Sequence, residues 1–237
     1  MRWTVALILA VLTLGCSMPA TFEQAEAMPL GAARTETYIH LAEQGEYRAQ
    51  VRLGGIFRKD DPLKSAKYFK QASDVGDIDA MYFLGVDYLE GAGVPQNQQE
   101  GINILQAAAG AGSVSAMEKL GSAFAGFSQK SENKADGLLA EQYYQSAFLH
   151  GSRASASYLW GMFVIYPMAD AYKSAVWSGV VSSFFTTPQS GPYSLLASKQ
   201  GGSALVTKAK TEASNWYARF NSKPRVQTFL DLNGIYE

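Results

Sequence analysis

The stretch Gly76–Gly85, GDIDAMYFLG, returns as GSVSAMEKLG at Gly112–Gly121 and as GEYRAQVRLG from Gly45. A chain that repeats Gly-x3-Ala-x3-Leu-Gly has little freedom of fold, because self-similarity at periods of roughly 20–50 residues marks stacked units that share one core. A degraded fourth copy, GSRASASYLWG, starts at Gly151 and reads as carrying one extra residue, with Trp160 where leucine stands elsewhere. The glycines of the Leu-Gly pairs, Gly54, Gly85, Gly121 and Gly161, then fall 31, 36 and 40 residues apart. Such intervals suit helix-turn-helix solenoids.

Spacings of four place Ala80, Leu84 and Tyr88 on one helical stripe. Ala49, Leu53 and Phe57 are their equivalents in the first unit, and Ala116, Leu120 and Phe124 in the third. Glycine inside a helix costs about 1 kcal/mol, so its return at one place signals a packing demand. A second helix precedes each copy, with a small residue four positions ahead of the opening glycine: Ala72 before Gly76, Ala108 before Gly112, Ala147 before Gly151. The opening glycine is expected to cap one helix and turn into the next. The predicted fold is all-α, an α-solenoid of stacked antiparallel helix hairpins with a C-terminal capping helix.

These residues resemble the Sel1-like repeats, relatives of the tetratricopeptide repeat. The family pattern is roughly A-x3-L-G-x2-Y-x2-G-x-G-V-x2-D-x3-A, followed by a helix closing in A-A-x2-G. The second unit carries most of it, in Ala80, Leu84, Gly85, Tyr88, Gly91, Gly93, Val94, Asn97 at the aspartate position, Ala108, Ala109 and Gly112. The first unit has RKDDPLKSA in place of the G-x-G-V turn, and the third has a longer polar stretch, AGFSQKSENKADG, read as an insertion at the same hairpin. The resemblance covers residues 33–166.

It implies that the first helix of each unit lines a concave, partner-binding face. By the tetratricopeptide pattern that face carries Arg48, Val51 and Arg58, then Asp79, Tyr82, Val86 and Leu89, then Ser115, Glu118 and Ser122, and finally Tyr158, Met162 and Ile165. Tyrosine, methionine and arginine concentrate binding energy at interfaces. For Val86, Leu89 and Ile165 the alternative is plain packing against the next helix.

Ahead of the repeats, Arg2 is followed by an apolar run from Trp3 to Leu14, ending in LTLGC at Leu12–Cys16. The run is too short to cross about 30 Å of hydrocarbon and has the proportions of a signal-peptide core. The ending resembles a bacterial lipobox, which implies cleavage after residue 15 and lipidation of Cys16, with an ordinary secretory signal as the alternative. Cys16 is the single cysteine of the chain, so disulfides and thiolate catalysis are excluded. Ser17 resembles the default outer-membrane sorting residue, and residues 17–32, with two prolines and no strong period, read as a flexible tether. Residues 167–237 read as an irregular helical cap that contains the amphipathic stretch Leu205–Phe220, a loop at TTPQSGPYS and an Asn-Gly turn near the end.

With 20 basic and 21 acidic residues the net charge is −1, and no basic cluster supports nucleic-acid binding. His40 and His150 lack ligand-spaced partners, and His150 falls in the last turn of a helix, where a cation suits the dipole. SENK at Ser131–Lys134 fits a serine-x-x-lysine pattern without its companion motifs. The acidic pairs Asp60 with Asp61 and Asp77 with Asp79 stand at turns, where aspartate caps helices. The chain is therefore expected to be a non-catalytic lipoprotein, anchored to the outer membrane and facing the periplasm. It is expected to need no cofactor, metal or small-molecule substrate, and to act as a scaffold for protein partners in an envelope assembly. The other expectation is an immunity protein that neutralises a secreted toxin such as a phospholipase.

Overall fold

The structure of the chain, a computed structural model, describes residues 21–131, 133–165, 170–184, 197 and 202–222, with only the backbone of Ile165. The signal segment, Cys16, the TTPQSGPYS loop and the Asn-Gly turn lie outside the described residues. Eleven helices follow one another in the described part: α1 (Phe22–Glu26), α2 (Ala32–Glu43), α3 (Tyr47–Phe57), α4 (Pro62–Asp74), α5 (Ile78–Glu90), α6 (Gln98–Gly110), α7 (Val114–Ser131), α8 (Lys134–Leu149), α9 (Ala154–Ile165), α10 (Ala171–Phe184) and α11 (Gly202–Ser222). No strand occurs among the described residues. Each helix packs chiefly on its chain neighbours, so the expected all-α solenoid of hairpins is what forms.

Local chemistry sets the helix ends. Asp61 Oδ1 accepts from Lys64 N at 3.1 Å, Asp77 Oδ1 from Ala80 N at 2.8 Å and Asn97 Oδ1 from Glu100 N at 3.1 Å. Two of the acidic residues weighed for catalysis are thus N-caps that satisfy otherwise orphaned amides. The opening glycines close the preceding helices in left-handed conformation, with φ of 90° at Gly45 and Gly76, 100° at Gly112 and 112° at Gly151.

The small residues do what their spacing foretold. Ala72, Ala108 and Ala147 are fully buried, as are Ala49, Ala80 and Ala116. A methyl group added at Gly54 would lie 2.5 Å from the Phe69 ring, one at Gly85 2.7 Å from Leu105 and one at Gly121 2.8 Å from the Tyr144 ring. Each of these Leu-Gly glycines thus marks the point where the second helix of its own hairpin presses onto the first.

The fourth unit departs from the sequence reading. Counting from Gly151 with the spacing of the other units gives Ser155, Leu159 and Trp160, and both Ser155 and Leu159 have 0% exposure. No residue is inserted, because Ser155 is small enough to take the alanine place. Trp160 stands where the other units have glycine, and around Gly161 nothing lies within 4 Å of an added methyl. The third unit also differs. Its polar stretch lengthens helices and makes no long loop, since α7 runs to Ser131 and α8 starts at Lys134.

Both ends are capped. Residues 17–32 do not act as a free tether from Thr21 onward, because α1 is closed by a capping box between Thr21 and Gln24 and buries Phe22 and Ala25 against Tyr38, Leu41 and Leu53. At the other end α10 is the regular second helix of the fourth unit, and α11 packs along it. Phe148 collects Trp177 at 5.4 Å, Phe220 at 4.8 Å and Trp216 at 6.3 Å between ring centroids, which ties α8, α10 and α11 together.

Gly85→Ala is expected to cost about 2 kcal/mol by overpacking, whereas Gly161→Ala should be neutral or stabilise by up to about 1 kcal/mol. Urea denaturation of the two variants checks this, and equal losses would contradict the assigned crossing points.

Candidate functional site

The first helices of successive units, α1, α3, α5, α7 and α9, run as a ladder, and of the side chains expected to bind a partner Arg48, Arg58 and Glu118 tie one rung to the next. Arg48 donates to Glu23 at 2.6 Å and to Glu46 at 3.0 Å, and its guanidinium lies 4.6 Å from the centre of the Phe22 ring. Arg52 donates to Glu26 at 2.7 Å, and Glu26 also accepts from Arg34 and from the Tyr38 hydroxyl, each at 2.7 Å. Burial works against ionisation of Glu26. The hydrogen bonds from Tyr38 and Arg52 and the charges of Arg52 and Arg34 outweigh it, holding its carboxyl below the usual range. Lys119 meets Glu90 at 2.6 Å, and Glu118 accepts from the hydroxyls of Ser152 and Ser155 at the start of the fourth unit.

Arg58 and Asp87 form the deepest of these links. Arg58 Nη2 lies 3.1 Å from Asp87 Oδ1, the aspartate side chain is 2% exposed, and the guanidinium stacks 4.8 Å from the centre of the Phe83 ring. Neither Asp87 oxygen nor Arg58 Nη1 has a well-aligned hydrogen-bond partner among the described residues. Burial pushes the Asp87 carboxyl up to about 6, with Arg58 opposing and Glu90 reinforcing the rise. Asp79 is likewise pushed up to about 6, by burial first and then by the like charge of Asp77, with Arg52 opposing.

The remaining expected residues divide. Val51 at 6%, Val86 at 5% and Met162 at 8% exposure are core side chains, which removes them from a partner-facing surface. Val51 and Val86 lie close enough to the neighbouring hairpin to be covered, and Met162 is buried because the register of the fourth unit is shifted by one residue. Tyr82 is half-buried with its ring 5.1 Å from Phe83, and Leu89 is half-buried against the core. Tyr158 stays 49% exposed, its ring 5.2 Å from that of Tyr144, and the side chain of Ile165 is not described. In the corrected register the inner positions of the fourth unit move to Ser157, Gly161 and Val164, the last 50% exposed. Sequence reasoning also missed Glu23, Glu26 and Asp87. A lone carboxylate inside the apolar stretch Tyr82–Leu89 was the signal that could have found Asp87.

Among the described residues no three His, Cys, Asp or Glu side chains gather as a metal cage. His150 Nδ1 donates to Ser146 O at 2.8 Å at the end of α8, and exposed His40 pairs with the Gln44 amide. What the ladder offers is a surface of paired charges with aromatic faces between them.

A solenoid of capped helix hairpins with such a face is the architecture of a protein-interaction fold. Residues 48–77, 78–113 and 114–152 each match the Sel1 repeat. Repeats of this kind generally serve as non-catalytic scaffolds for other proteins. The chain is similar to a Sel1 repeat protein from Oxalobacter formigenes, with a TM-score of 0.50 and 23% identity over 79% of this chain and 78% of that one. It is also similar to a protective antigen of uropathogenic Escherichia coli, with a TM-score of 0.55 and 20% identity over 87% of this chain and 48% of that one. These likenesses concern the fold. In sequence, 86 residues are 36% identical to the DAP3-binding cell death enhancer 1 of Rattus norvegicus, covering 35% of this chain and 17% of that protein. The chain therefore spans about a sixth of that relative's length.

Because the folded Asp87 titrates near 6 and an unfolded one near 3.8, folding takes up a proton between those values. The stability present below pH 3.8 is lost as pH rises through about 6. Asp87→Asn removes this dependence, so the melting temperature of the variant relative to the wild type should climb between pH 4 and pH 6.5 and then level off. A difference that stays flat across calorimetric scans in that window would show that Asp87 folds already ionised.

Proposed function

We propose that the chain is a non-catalytic adaptor of the bacterial envelope, held to the outer membrane through a lipidated Cys16 and presenting its repeats to a protein partner in the periplasm. The observation that carries the binding half is the face of the first helices, where α9, which follows the three matched Sel1 repeats, leaves Val164 at an inner position and the neighbouring Tyr158 half exposed beside a ladder of paired charges. An exposed tyrosine that already rests on Tyr144 meets a partner with little side-chain ordering, and that favours it as an anchor. Support for the anchoring half comes from the sequence alone, in the apolar run that ends at Leu12–Cys16. Two or more acyl chains give durable attachment where one does not.

In the native host, Cys16→Ser should move the protein from the membrane pellet to the soluble fraction, and an unchanged pellet would end the anchored reading. Crosslinking from intact cells should recover one or more envelope components, with recovery falling about tenfold on Tyr158→Ala, a loss in the range of an interface hot spot, while the melting temperature holds. Recovery of a single secreted toxin in their place would replace the scaffold reading with that of an immunity protein.

A further inference from the structure

The second unit folds its G-x-G-V turn over its predecessor. Gly91 and Gly93 adopt φ of 75° and 73°, and a methyl added at Gly93 would lie 1.9 Å from the Pro62 carbonyl oxygen and 2.9 Å from Leu63 N. The turn thus lies directly on the first residues of α4, and only glycine permits so close a backbone approach. The third unit has no such turn, because α7 continues as helix through the positions where α5 has already ended. The equivalent place, over the first turn of α6, is left as a cleft of about 400 Å³. Ile102, Phe124 and Phe127 line it, with Gln98, Lys130 and Asp136 around them. Phe124 is fixed from behind by stacking on Tyr143 at 5.7 Å, and Phe127 stands edge-on to it at 5.8 Å.

We infer that this cleft is a docking site for a glycine-bearing turn of a partner protein, a Gly-x-Gly followed by a branched apolar residue, which fills for the third unit the role that Gly91–Val94 fills for the second. The repeat itself supplies the argument for this occupant. The same backbone surface one unit earlier is covered by a turn of that composition, with Val94 half-buried beside it. A longer first helix walls the cleft on one side and adds Phe127 beside Phe124, which stands where the second unit has Tyr88, so the apolar residue of the incoming turn meets an aromatic floor. This deepens the scaffold reading and shares with it only the assumption of a protein partner. None of its lining residues belongs to the inner face.

The test uses the full chain with isotope-labelled isoleucine methyls and the acetylated, amidated peptide Gly-Ala-Gly-Val-Pro-Gln, which copies residues 91–96. A saturable shift of the Ile102 methyl at millimolar peptide is expected, lost on Phe127→Ala and retained on Phe127→Leu. Replacing the second glycine of the peptide by L-alanine should abolish the shift, because its methyl points into the receiving backbone, whereas D-alanine should keep it. No shift at Ile102, or equal binding of the L-alanine peptide, overturns the proposal. Phe127→Ala is read only where circular dichroism matches the wild type, and Lys130→Ala, on an exposed position, serves as the second cleft variant, expected to weaken the shift severalfold. Tyr158→Ala should leave the peptide response unchanged, so failure here stays distinct from failure of the inner face.

Discussion

Everything in this molecule depends on how closely the two helices of a hairpin approach. At Gly54, Gly85 and Gly121 the side chains of Phe69, Leu105 and Tyr144 occupy the space a methyl group would need. That contact sets the tilt of each hairpin, and with it the place where the next first helix is laid down. The fully buried alanines ahead of each opening glycine work to the same end from the second helix. Dispersion between densely packed atoms and the removal of apolar surface from water act over these crossings, and neither tolerates a gap or an extra carbon. A linear stack of hairpins then needs only its two ends closed, which α1 and the aromatic cluster around Phe148 accomplish.

The charges of the first helices serve the stack before they serve a partner. Arg48, Arg52, Arg58, Lys119 and Glu118 each reach from one unit to the next. Exposed links of this kind contribute little to stability. Asp87 is different, because a carboxylate buried on a single, imperfectly aligned arginine costs more to ionise than the pair returns. A partner approaching this face meets groups already committed, and the apolar and aromatic positions left open, Tyr158 and Val164, become the natural anchors.

Irregular units are where this solenoid departs from a simple rod. The second unit keeps the glycine turn and uses it to seal the first. By extending α7, the third loses the turn and opens a cleft lined by Phe124 and Phe127. The fourth replaces the crossing glycine with Trp160, whose buried Nε1 finds no acceptor among the described residues, and leaves Gly161 facing open space. Variation of this sort costs a repeat protein little, since each unit contacts only its neighbours and a local change is not transmitted along the stack.

The architecture was legible in the chain because its determinants are local and periodic. A glycine that must take positive φ, an alanine four residues on and a Leu-Gly pair after it are short-range demands, and their recurrence announces hairpins and stacking. Burial at the inner face was not legible in the same way. Val51 and Val86 occupy positions that the repeat pattern assigns to an open surface, and only the distance to the neighbouring hairpin decides that they are covered. The same holds for the register of the fourth unit, where Ala156 and Ser155 are both small and both buried, and packing alone selects Ser155 and Leu159. Pairing of Arg52 with Glu26 joins residues 26 apart, and of Arg58 with Asp87 residues 29 apart, through the stacking of whole units. Sequence sets what each helix is, because helix formation answers to nearest neighbours. Which side chains remain free to bind is a property of the assembled stack, because exposure depends on what lies across the gap.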